Sequence, residues 1–212
     1  MTADETIAEL RAKHGEVEAL EIPREGQEPA LVVLKAMPLL DFLELQHSEA
    51  KRRAGVKFRD PREITAPLLS CVVYGLEDAQ AELADCPGFE QDLMNAVARL
   101  AGALNEDIDV DFAEEPEPKK PIVLKVGQHK LTFRRLDSFD YSNARSAIGK
   151  YAKECPGLLS PLAMLALVKQ QGVKEEAADL DRVLSLYPAA VESMGLLLYG
   201  TARGRAERRV GK

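Results

Sequence analysis

The side chains best suited to chemistry stand apart from one another in this chain. His14, His47 and His129 are isolated in sequence and sit among charged residues, and none has a second His or Cys two to four positions further on. Metal binding or general-base work needs a partner held close by, so all three read as exposed side chains. Cys71 falls on an apolar stripe and reads as a small core residue, whereas Cys86 and Cys155 each precede a proline at an expected helix boundary. There is no CxxC pair, and nothing near the thiols points to a base that would activate them. Asp107, Asp109 and Asp111 alternate as the first ligands of a calcium loop would. That loop also needs Gly at its sixth position and Glu at its twelfth, which here are Phe112 and Pro118. These residues assign no catalytic group, no metal and no cofactor, and they point away from an enzyme.

Composition narrows the class further. The 212 residues are 46% apolar and 30% charged, a folded composition with room for one large domain or two smaller ones. Aromatics make up 5% and Trp is absent, so the core must be built from Leu, Val, Ala and Met. A net charge of −7 argues against broad affinity for nucleic acid or anionic membranes. The basic end is the exception. Arg203, Arg205, Arg208, Arg209 and Lys212 suit an acidic partner, or an acidic segment of the same or a neighbouring chain. The longest apolar runs, 162–168 and 195–199, are far too short to span a membrane. Residues 1–10 are acidic and lack the apolar stretch of a secretory signal, and three cysteines fit a reducing compartment. The expectation is a soluble intracellular protein.

The elements that would position these residues follow in order. Thr2 and Glu5 have capping-box spacing before a short helix that Gly15 stops. Segments 17–22 and 30–36 form a hairpin across the polar turn 23–29. A helix runs from Pro38 to about Arg53 with Leu39, Phe42, Leu43 and Leu45 inward, and a basic connector, 51–59, follows. Asp60-Pro61-Arg62-Glu63 opens the next helix, whose stripe of Ile64, Leu68, Cys71 and Val72 ends near Gly75. Phe89, Leu93, Val97, Leu100 and Leu104 mark a closing amphipathic helix. Residues 105–120 carry Asp107, Asp109, Asp111, Glu114, Glu115 and Glu117 beside Pro116 and Pro118. Like charges repel and proline cannot donate to a ladder, so this stretch reads as an extended linker.

The second half repeats the plan about 100 residues later. A hairpin turns at Gly127-Gln128, a helix spans 138–154, and Ser160-Pro161 opens a helix with Leu162, Leu165, Ala166 and Val168. An amphipathic segment, 175–186, precedes a closing helix, 188–201, with Val191, Met194, Leu197 and Leu198. Landmarks agree along both halves: Asp41-Phe42 with Asp140-Tyr141, Asp60-Pro61 with Ser160-Pro161, and Cys86-Pro87 with Tyr187-Pro188. The predicted architecture is α+β in two tandem modules, 1–104 and 121–212, each a β-hairpin followed by three or four helices, joined by the linker 105–120.

Leu10-Arg11-Ala12-Lys13-His14-Gly15-Glu16-Val17 ahead of a hairpin resembles the opening of phage tail assembly chaperones. Leu68-Leu69-Ser70-Cys71-Val72-Val73-Tyr74 and Cys86-Pro87-Gly88-Phe89, with a closing helix, are similar to that family's helical end. The resemblance covers 6–104 and, on fewer residues, 122–201. The plan is also similar to baseplate hub assembly proteins of contractile-tailed phages. Members commonly hold one such unit, so a duplicated one is a departure. The resemblance implies a non-enzymatic factor of the host cytoplasm that keeps the helical tape-measure protein soluble and recruits tail-tube or baseplate subunits, itself free to form a homo-oligomer. The alternative is a structural tail or baseplate component retained in the virion. On the chaperone reading, the closing stripes cover the tape measure: Phe89, Leu93, Val97 and Leu100 in the first copy, and Val191, Met194, Leu197 and Leu198 in the second. The competing assignment for the same residues is each module's own core.

Overall fold

The computed structural model describes residues 2–22, 29–53, 55, 62–75, 88–103, 108–117, 119–152 and 160–210. The turn 23–28, the cap at Asp60-Pro61, Cys86-Pro87, Asp107, Pro118 and Cys155 lie outside the described residues. At the start, Thr2 Oγ1 accepts from the Glu5 amide at 3.3 Å while Glu5 Oε2 accepts from the Thr2 amide at 2.8 Å. This reciprocal cap satisfies two donors that a helix start otherwise leaves open, and it sets helix α1, Ala3–His14. Strands β1 (Val17–Ile22) and β2 (Ala30–Lys35) then pair antiparallel, from Val17 opposite Lys35 to Ile22 opposite Ala30. Helix α2 is Leu39–Arg53, α3 is Arg62–Ser70, β3 is Val72–Tyr74 and α4 is Gly88–Leu100.

In the second half β4 (Val110–Phe112) precedes the hairpin of β5 (Ile122–Val126) and β6 (His129–Phe133). Gly127 takes φ +56° at the first turn position, as a two-residue Gly-X hairpin turn requires. Helices α5 (Ser138–Ala152), α6 (Pro161–Gln171), α7 (Ala177–Leu186) and α8 (Ala190–Val210) follow, with a 3₁₀ turn, Lys174–Glu176, before α7. The class is α+β. Among the described residues it holds eight α-helices and two three-stranded antiparallel sheets, ordered β1-β2-β3 and β4-β5-β6.

Two segments depart from the sequence expectation. The third helix stops at Ser70 instead of running to Gly75, and Val72–Tyr74 joins β2. Ser70 Oγ donates to the Pro67 carbonyl at 2.6 Å and the Cys71 amide turns back to Leu68 at 3.1 Å, which closes the helix. Two valines and a tyrosine then favour a strand. The other departure is the acidic stretch. Its residues 110–112 form an edge strand, with Asp111 opposite Lys125 and the half-buried Val110 and Phe112 opposite Val126 and Leu124. Val110 and Phe112 pack against the core cluster while the ladder pairs their backbone with β5, which local reasoning does not see.

One buried cluster runs from Ile22 and Val32 through Phe89 and Val97 to Leu124, Phe133, Met164 and Leu198, so both halves contribute to it. Helix α2 packs against α6, and the Ala189 amide donates to the Ala101 carbonyl at 3.1 Å. Helix α8 lies close against α6, where a Cβ at Gly195 would come within 2.7 Å of Met164 Cβ. Matching hydrogen bonds recur in the two halves. The Lys35 amide donates to the Cys71 carbonyl at 2.9 Å, and the Arg134 amide to the Gln171 carbonyl at 2.8 Å. Where β3 pairs with β2, Gly172 bridges Phe133 of β6.

Candidate partner-binding surface

The closing helices present their apolar stripes inward. Phe89, Leu93, Val97, Leu100, Val191, Met194 and Leu198 are all buried in the shared core, and Leu197 is half-buried against it. In this fold they are core rather than contact surface. Each stripe packs on its own sheet or neighbouring helix: α4 on β1, β2 and α3, and α8 on α6, β4 and β5.

His47 also departs from its expected exposure. It is 7% exposed, and its Nδ1 lies 3.1 Å from Oγ of Ser160, which is 2% exposed. A hydroxyl beside an imidazole is the geometry of a nucleophile and its base, but both groups are enclosed here. Their structural effect is to tie α2 to the start of α6. His14 and His129 are half-buried, His129 tilted against Tyr187 with ring centroids 6.0 Å apart. Cys71 is 1% exposed, and burial pushes its thiol above its usual range, with the Ser70 hydrogen bond and Lys35 acting the other way. No group of three or more His, Cys, Asp or Glu side chains that could hold a metal occurs among the described residues. Asp111 instead faces Lys125 in the sheet.

Among the described residues five large apolar side chains are exposed, Leu40, Tyr74, Phe139, Leu186 and Leu196, and two of them hold corresponding places in the two halves. Leu40 is 56% exposed and Phe139 is 73% exposed. Each is the second residue of its helix, α2 and α5, and each is followed by an aspartate, Asp41 and Asp140. The two helices occupy the same place after their hairpins, so the same corner of each half carries an unburied apolar residue beside a carboxylate. The signal was present in the aligned pairs Asp41-Phe42 and Asp140-Tyr141, one residue upstream.

The surroundings of the two corners differ. In the first half, a groove of about 260 Å³ lies between α2 and α3, with Asp41, Glu44 and Glu63 in its lining. Further along α2, Arg52 donates to Glu49 at 2.8 Å and to Glu90 of α4 at 3.1 Å. Its pKa is raised, chiefly by the Glu49 hydrogen bond. Beside Phe139, Asp140 is already engaged: Arg134 forms an ion pair with it and Gln170 Nε2 donates to it at 3.1 Å. Tyr141 stacks on Tyr199 with centroids 5.8 Å apart, fixing α5 to α8. Among the described residues no helix is long and apolar enough to cross a membrane. No protein-family model matches the chain, and neither the curated proteins nor the solved structures contain a match to it.

Proposed function

We propose that the chain is a non-enzymatic phage tail assembly factor, a tail assembly chaperone that holds the tape-measure protein and tail subunits. The observation that carries the reading is the paired exposure of Leu40 and Phe139 at equivalent corners of the two halves. Together with the resemblance of residues 6–104 to that family, it supports a protein that grips an apolar helical partner at two points. Covering one such side chain contributes about 1.5–3 kcal/mol at most, less for one already half covered, so each contact alone is weak. Two contacts on one framework act at high effective concentration and bind far more tightly together. Weak single contacts also suit a chaperone that must give up its partner when the tube closes around it.

Co-expression with the tape-measure protein tests this. Leu40→Asp with Phe139→Asp is expected to abolish co-purification, and either substitution alone to weaken it at least tenfold, while the far-UV signal stays unchanged. Undiminished co-purification of the double variant would sink the reading. Mass spectrometry of purified virions separates the alternative: a stoichiometric presence favours a tail or baseplate subunit, and absence favours the chaperone.

A further inference from the structure

We infer that the side-chain amide of Gln171 holds one internal water molecule where the end of α6 meets β6 and α8. Gln171 closes α6 and is 1% exposed, and among the described residues neither its Nε2 nor its Oε1 meets a hydrogen-bond partner. Its backbone is fixed, because its carbonyl accepts from the Arg134 amide at 2.8 Å. Buried polar side chains are in the large majority satisfied by protein or by ordered water, and a buried amide with neither is destabilising. The side chain lines a cavity of about 10 Å³, with Ile122, Leu136 and Ala202 as apolar neighbours and Arg135 and Thr201 as polar ones. That volume has room for about one water.

The two atoms of the amide decide the class of ligand. Nε2 needs an acceptor and Oε1 needs a donor, so a small anion would leave the oxygen unmet and a cation would leave the nitrogen unmet. A water serves both: it accepts from the N–H on the oxygen's side of the amide and donates one hydrogen to the oxygen. Its second hydrogen suits Thr201, whose Oγ1 donates to the Leu198 carbonyl at 2.7 Å and so offers lone pairs. Arg135 is set in the lining by the chain ahead of β5, its Nε donating to the Lys120 carbonyl at 2.7 Å and its Nη2 to the Glu117 carbonyl at 2.6 Å. Nothing in the fold requires a polar residue here. Cys71 holds the corresponding place in the first half: its carbonyl accepts from the Lys35 amide as that of Gln171 does from Arg134, and it is 1% exposed within the apolar cluster. The water is therefore a feature of the second half, joining α6 to α8 through hydrogen bonds where the first half closes on apolar contact.

Magnetic relaxation dispersion of water ¹⁷O on the full chain counts long-lived internal waters and tests this. Gln171→Leu nearly keeps the size of the side chain and removes both polar atoms. It is expected to lose one long-lived water relative to the parent while the far-UV signal stays unchanged. In the parent, the side-chain amide protons of Gln171 should show direct cross-relaxation with a long-lived water. An equal water count in parent and variant overturns the inference, and so does the absence of that cross-relaxation. Should the leucine variant lose its far-UV signal, Gln171→Met, unbranched like the parent, is read in its place with the same two outcomes. Chloride is the remaining rival. Broadening of the ³⁵Cl resonance by the parent that Gln171→Leu abolishes would overturn the water assignment and give the cavity to an anion.

Discussion

Leu40 and Val97 are both apolar residues of amphipathic helices, yet a carboxylate has opposite effects at the two positions. Val97 is 1% exposed and packs in the cluster that includes Phe89 and Leu93. Val97→Asp with Leu100→Asp would bury charge without a partner, at a cost of several kcal/mol per group. Domain stability is only about 5–15 kcal/mol, so this variant is expected to lose its cooperative thermal transition and its helical far-UV signal together. At the exposed Leu40 the same change should stay within about 0.5 kcal/mol. Helical spacing at 89–100 marked a face that must be covered and left open whether the chain's own core or a partner covers it. His47 was misread for a related reason. Glu44 and Glu49 lie close to it in the sequence, but the group it meets is Ser160, 113 positions away.

At the level of elements, the least legible piece was β3. Its three residues were read as the end of a helix because Ile64, Leu68, Cys71 and Val72 keep helical spacing. Gly75 shows why the chain must turn there. Its φ is +98°, and a Cβ would stand 1.9 Å from the Leu31 carbonyl oxygen. Gly75→Ala therefore has to displace β3 from β2 as well as strain the backbone. A loss of about 2–4 kcal/mol is expected, a fall in melting temperature of roughly 5–15 °C for a chain of this size. A scanning calorimetry trace within about 2 °C of the parent, a loss of only about 0.5–1 kcal/mol, would contradict the tight approach. The second hairpin was legible at its turn and its first strand, because Gly127-Gln128 sets the register from Val126 opposite His129 to Ile122 opposite Phe133, while its second strand, expected over 130–136, ends at Phe133. The edge strand β4 was not, since what holds it is its pairing with β5 and the packing of Val110 and Phe112 against the shared core.

The molecule as a whole does not divide its core at the acidic stretch. The cluster from Ile22 to Leu198, the α2–α6 packing and the Ala189–Ala101 hydrogen bond join the halves. The full chain is therefore expected to unfold in one calorimetric transition. The fragment 1–104, which loses Ser160 from His47 and α6 from α2, should melt at least about 10 °C lower and bind a hydrophobic dye. Two separate transitions in the full chain would contradict a shared core. Sequence alone determined what neighbours within a few residues decide: the Thr2–Glu5 cap, the hairpins, the helical stripes, the acidic balance and the recurrence of landmarks at about 100 residues. Tertiary structure decided which stripes meet, that residues 110–112 find an edge, and that Leu40 and Phe139 stay uncovered while Val97 and Met194 do not. Those outcomes depend on packing between residues far apart in the chain, and periodicity records only that a face is apolar, not what comes to lie against it.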